Sequence, residues 1–120
     1  MTVSEDQVRL HLQSAFKQTF TEKKLEVGHR VKGEAAYKRF DAVSDDGKIV
    51  AMVKDYSATN LNGNRTRLAR VLQDMGYLHL AEAPRKFMYL SPAFFDWFSK
   101  VNDGSVIPGI EVRCIPQSLG

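Results

Sequence analysis

The sequence predicts a single α/β domain built on a mixed five-stranded sheet with helices on both faces. Three observations predict it. Helix-like and strand-like patterns succeed one another in the order α-β-β-β-α-β-α-β. The first three strands follow one another directly, which gives a meander. The later strands alternate with helices and can add in parallel through right-handed crossovers. The chain has 120 residues and no repeat, linker or low-complexity stretch, so residues 1–120 fit one domain.

The first helix starts at Ser4, which forms a capping box with Gln7, while Glu5 and Asp6 suit the positive end of the helix dipole. Val8, Leu12, Ala15, Phe16 and Thr19 recur at helical spacing and give one apolar face, and residues 21–24 (TEKK) read as its exit. Residues 25–31 (LEVGHRV) predict the first strand and residues 37–43 (YKRFDAV) the second. SDDGK is a hairpin turn, because Asp-Gly tolerates the positive φ of tight turns. Residues 48–56 (KIVAMVKDY) are apolar enough for a central strand. The polar stretch 57–64 reads as a loop. Leu68, Val71, Leu72 and Met75 line the second helix, which closes at Gly76 or a half-turn beyond. Residues 85–91 (RKFMYLS) predict a fourth strand. Ser91-Pro92 then starts the third helix, with Ser as cap and Pro at the first position. Phe94, Trp97, Phe98 and Val101 are its core stripe, and residues 110–116 (IEVRCIP) the fifth strand.

The composition, 43% hydrophobic and 26% charged, is that of a soluble globular protein. No apolar run approaches the ~18 residues that would span a membrane. MTVSEDQV lacks the basic and apolar regions of a secretory signal, so a cytoplasmic location is expected. Cys114, the sole cysteine, excludes an intramolecular disulfide and reads as a buried thiol. A net charge of +3 permits a polyanionic partner without demanding one. His11, His29 and His79 lack metal-binding spacing, and neither a G-x-S-x-G elbow nor a phosphate-binding glycine loop is present.

The hairpin FDAVSDDGKIVAMVK carries the chemistry. Alternation puts Arg39, Asp41 and Val43 on one face of the second strand, and Val50, Met52 and Lys54 on one face of the third. Normal pairing across the turn then brings Asp41 toward Met52 and Lys54. Together with the element order, this hairpin resembles the PD-(D/E)XK nuclease superfamily. That family has a restriction-endonuclease-like fold with an αβββαβ core, extended here by an αβ unit. Its motif is an aspartate in the second strand and acid-X-lysine in the third. Asp41 matches the aspartate and Lys54 the lysine. Met52 stands where the second acid belongs, and Arg39-Phe40 precede Asp41 where the family often has proline.

The resemblance implies that Asp41 and Lys54 are the catalytic pair, that Asp41 is a metal ligand, and that Mg²⁺ is the cofactor of an active form. Mg²⁺ demands oxygen ligands in near-octahedral geometry, and a thioether is a poor substitute. Met52 therefore implies lost or weakened catalysis unless another acid is recruited. Glu34, Asp55 and Asp74 are candidate relocated acids, Asp55 being expected on the opposite face of its strand, and Glu5 or Asp6 can approach from the first helix. The plain alternative is an Asp41–Lys54 ion pair on a solvated face.

Arg39, Arg65, Arg67, Arg70 and Lys86 are the candidate nucleic-acid contacts, since guanidinium and ammonium groups suit phosphate oxygens. Three functions remain open. The first is DNA or RNA binding by a catalytically impaired nuclease-fold domain without a cofactor, as in an accessory or mobile-element protein. The second is an active Mg²⁺-dependent nuclease with a relocated carboxylate. The third is a protein-interaction or immunity-type module. Any exposed remainder of FFDWF is a candidate surface for a homodimer or a protein partner.

Overall fold

The computed structural model describes residues 3–27, 36–56, 61–102 and 109–116. They form α1 (Val3–Phe16), β1 (Phe20–Glu26), β2 (Tyr37–Ser44), β3 (Ile49–Lys54), α2 (Leu61–Leu80), β4 (Arg85–Leu90), α3 (Pro92–Asn102) and β5 (Ile110–Cys114). The strands make one mixed five-stranded sheet in the order β1-β2-β3-β4-β5. β1, β2 and β3 pair antiparallel, and β3, β4 and β5 pair parallel. The predicted element order and meander hold.

Each face of the sheet has its own core. On one face, Val8 and Leu12 of α1 pack on Phe20, Ala42, Ala51, Val53, Phe87 and Tyr89. On the other, Val71, Met75 and Leu78 of α2 and Phe94 and Phe98 of α3 cover Phe40, Val43, Val50, Met52, Met88 and Leu90. Every β3 residue but Lys54 is buried, as expected of a central strand covered on both faces. Burying one large apolar side chain of this kind contributes about 1.5–3 kcal/mol.

The turn between β2 and β3 is held by its own sequence. Gly47 takes a φ of 72° and donates to the Ser44 carbonyl at 2.9 Å. Ser44 Oγ donates to Asp46 Oδ1 at 2.7 Å, and that oxygen also accepts the Lys48 N–H at 2.9 Å. These bonds hold the Asp46 carboxyl below the usual carboxylate range.

Three boundaries differ from expectation. α1 ends at Phe16, where Lys17 enters the left-handed region (φ 59°) and donates to the Gln13 carbonyl at 2.9 Å. β1 therefore begins at Phe20 and includes the polar residues read as a helix exit, while residues 28–31 lie outside the described residues. It is an edge strand with mostly exposed side chains, held by pairing with β2 and not by burial. α2 starts at Leu61 and runs through Gly76 to Leu80, because Met75 and Leu78 are fully buried and hold its last turns on the sheet. No described helix is long and apolar enough to cross a membrane.

Candidate functional site

The buried polar groups gather at one place. Among the described residues, apart from Ser44 at the turn, the buried polar side chains are Ser4, Glu5, Asp41, Asp74 and Ser91. All five lie around the end of β3, where it leaves the sheet at Lys54. A cleft of about 260 Å³ opens there, lined by Glu5, Arg39, Asp41, Val53, Lys54, Asp55 and Tyr56.

A β-bulge sets the position of Asp41. Thr21 pairs with Val43 and Lys23 with Phe40, so Asp41 and Ala42 together oppose Glu22. The extra residue changes the alternation. Phe40 and Val43 both enter the α2 core, while Ala42 enters the α1 core and Asp41 meets Glu5 of α1. This corrects the expectation that Asp41 and Met52 share a face. Met52 is 2% exposed in the core beneath α2. An acid at position 52 would point into that core and away from Asp41.

Asp41 Oδ2 accepts the Val53 N–H at 2.7 Å, so the carboxylate completes a ladder group where β2 and β3 diverge. Its other oxygen lies 3.4 Å from Arg39 Nη1. Arg39 Nη2 reaches Glu5 Oε1 at 3.1 Å and also bonds Glu22, so one guanidinium holds three carboxylates. Arg9 Nη1 donates to the Asp41 carbonyl at 2.7 Å. Burial and the facing Glu5 push the Asp41 carboxyl up to about 6, against the pull of the Val53 N–H and Arg39. Such a carboxyl exchanges its proton close to neutral pH.

Lys54 approaches from the α2 side. Its Nζ lies 2.5 Å from Asp74 Oδ2, and Lys38 Nζ is 3.9 Å from the same carboxylate. Burial disfavours the Lys54 ammonium, but the bond and charge of Asp74, with smaller help from Asp41, hold it above its usual value. Ser91 fixes the cleft wall. Its hydroxyl donates to the Tyr56 carbonyl and accepts the Tyr56 N–H at 3.1 Å. The hydroxyl thus binds residue 56, while the Ser91 carbonyl accepts the Phe95 N–H at 2.7 Å and opens α3, which begins at Pro92 as expected. Ser4 likewise donates to Asp55, from within the first turn of α1.

The candidate acids separate. Glu5 meets Asp41. Asp74 meets Lys54. Asp55 lines the cleft mouth, bound by Ser4. Asp6 pairs with Arg9 at 2.7 Å. Glu34 lies outside the described residues. The basic residues separate too. Arg39 is in the cleft, and Arg67 stacks over Tyr56 with its guanidinium 5.1 Å from the ring centre. Arg70 is exposed one turn further along the same side of α2. Arg65, two residues before Arg67, leaves α2 on nearly the opposite side. Lys86 pairs with Val50 and donates to the His79 carbonyl, about 13 Å of strand rise from Lys54. The five basic candidates therefore form no single surface.

Sequence reasoning missed Arg9, Glu22 and Tyr56. A charged residue on an apolar stripe was the available signal for the two buried acids of the helices, Glu5 and Asp74. Glu5 continues the Val8–Leu12 stripe, and Asp74 falls between Val71, Met75 and Leu78.

Chemically, Glu5 and Asp41 present hard oxygen atoms to one point beside a charged lysine. They can share a proton or a divalent cation. Among the described residues no group of three His, Cys, Asp or Glu side chains converges to hold a metal. A cation here would take two carboxylates, with its other positions left to water and a bound phosphate, which is within Mg²⁺ habits. Comparison with protein-family models, curated proteins and solved structures returns no match.

Proposed function

We propose that the chain is a restriction-endonuclease-like domain that hydrolyses nucleic-acid phosphodiesters, with Glu5 of α1 replacing the acid missing at Met52. The observation that carries this reading is the meeting of Glu5 and Asp41 in the cleft that Lys54 also lines. A buried pair in which Glu5 and burial push Asp41 toward neutral pH fits a divalent cation, because the cation removes the repulsion. A bound Mg²⁺ would polarise a phosphate oxygen and supply a hydroxide at neutral pH. Asp41 and Glu5 hold the position. Lys54, kept protonated by Asp74, offers a donor to the negative charge that develops on the phosphate. Arg67 over Tyr56 provides a cationic and aromatic wall for the flanking chain.

Cleavage of single- and double-stranded DNA and RNA with Mg²⁺ or Mn²⁺ tests this. Activity is expected in the wild type and lost in Glu5→Gln and Lys54→Ala. No cleavage of any substrate overturns it.

A second reading, nucleic-acid binding without hydrolysis, is favoured by the closed ion pairs. Arg39 already bridges Glu5 and Asp41, and Asp74 already holds Lys54. It predicts metal-independent binding that weakens steeply with salt.

A further inference from the structure

We infer that β5 is a self-pairing edge, and that two copies of this chain join β5 to β5 antiparallel into one continuous ten-stranded sheet. Among the described residues the sheet ends at β5, and none of them forms a strand on its outer side. The Ile115 N–H donates to the Leu90 carbonyl at 2.8 Å, in a register that pairs Leu90 with Cys114. Backbone groups alternate along a strand, so those of Glu111 and Arg113 point toward β4. Those of Ile110, Val112 and Cys114 point outward. An antiparallel copy centred on Val112 exchanges both hydrogen bonds between the two Val112 residues. It also sets Ile110 against the copy's Cys114.

The charges choose this register. In it, Glu111 of each copy lies directly opposite Arg113 of the other. These are non-hydrogen-bonded positions, where side chains approach most closely. Both side chains are about half exposed on the face beyond α1, at 46% and 47%. Each copy already pairs Glu111 with its own Arg113 at 2.7 Å and with Arg85 at 3.1 Å. Dimerisation extends those pairs into one alternating network across the dyad. On the opposite face, half-buried Val112 belongs to the main core, and α3, packed on β5, adds exposed Val101.

The other edge lacks this match. β1 reads FTEKKLE, and self-pairing about its centre sets Lys23 against Lys23. Like charges directly opposite are unfavourable. Because β3, β4 and β5 run parallel, a dyad at β5 places the two clefts at opposite ends of the joined sheet.

Sedimentation of the full chain over a concentration series tests the inference. The wild type is expected to dimerise. Glu111→Lys and Arg113→Glu, each placing like charges opposite, are expected to weaken the dimer about tenfold or more, and the double exchange to restore it. Val112→Pro removes an outward N–H that β4 does not use, so it is expected to leave a folded monomer with unchanged circular dichroism. A wild type that stays monomeric throughout overturns the inference. So does a dimer that survives both Val112→Pro and the single charge reversals.

Discussion

Replacing Asp41 by Asn should stabilise the protein at neutral pH. Asn keeps the oxygen that accepts the Val53 N–H and removes the charge that burial and Glu5 oppose. In the folded chain the Asp41 carboxyl titrates at about 6, against 3.8 for an unperturbed aspartate. A rise of about two pH units corresponds to about 3 kcal/mol. The sign follows from proton binding. Between pH about 4 and about 6 the folded protein keeps a proton that the unfolded chain has released, so the Asp41 contribution falls as pH rises through that window. Above it the full penalty is present, and below it none. Urea unfolding of wild type and Asp41→Asn from pH about 4 to about 8 measures the difference directly. The variant should be more stable by up to about 3 kcal/mol at pH about 8. That advantage should vanish toward pH about 4. A variant that is less stable than wild type at pH about 8, or a difference that does not change with pH, would be incompatible with a buried Asp41 charge opposed by Glu5.

Further outcomes follow from the same geometry. Met52→Glu, which restores the missing motif acid, should lower stability by about 3 kcal/mol or more in urea unfolding, because it buries an unpaired carboxylate beneath α2. It should not raise cleavage above the wild-type level, since position 52 faces away from Asp41. Asp74→Asn should lower the Lys54 pKa, read by NMR of the lysine side chain, and cost about 1–2 kcal/mol by leaving a half-buried ammonium short of a counter-charge. Gly47→Ala should cost about 1 kcal/mol in thermal unfolding through its positive φ alone, since open space surrounds the added methyl group.

The parts of the fold that were legible in the sequence are those with local causes. The Asp-Gly turn carries its own hydrogen bonds, Ser91-Pro92 marks the start of α3, and the apolar run of β3 marks a strand covered on both faces. β1 was misplaced because nothing in its own residues announces it. Only Phe20 is buried, and its polar residues become a strand by pairing with β2. Gly76 reads as a helix stop, yet the buried Met75 and Leu78 carry α2 past it. The bulge at Asp41 was the costly gap. It depends on the register against Glu22, a partner on another strand, and simple alternation put Asp41 on the face of Met52. The meeting of Glu5 with Asp41 was among the options and had a visible sign, a carboxylate on the apolar stripe of α1. The partition of the acids, Glu5 to Asp41 and Asp74 to Lys54, required the fold.

The central claim is that Glu5 and Asp41 form one cation site. Calorimetric titration with Mn²⁺ tests it most directly, on wild type, Glu5→Gln and Asp41→Asn in parallel. Saturable binding by the wild type is expected, with proton release near neutral pH, and its loss in both variants. A wild type that binds no Mn²⁺, or binding that survives either substitution, would contradict it.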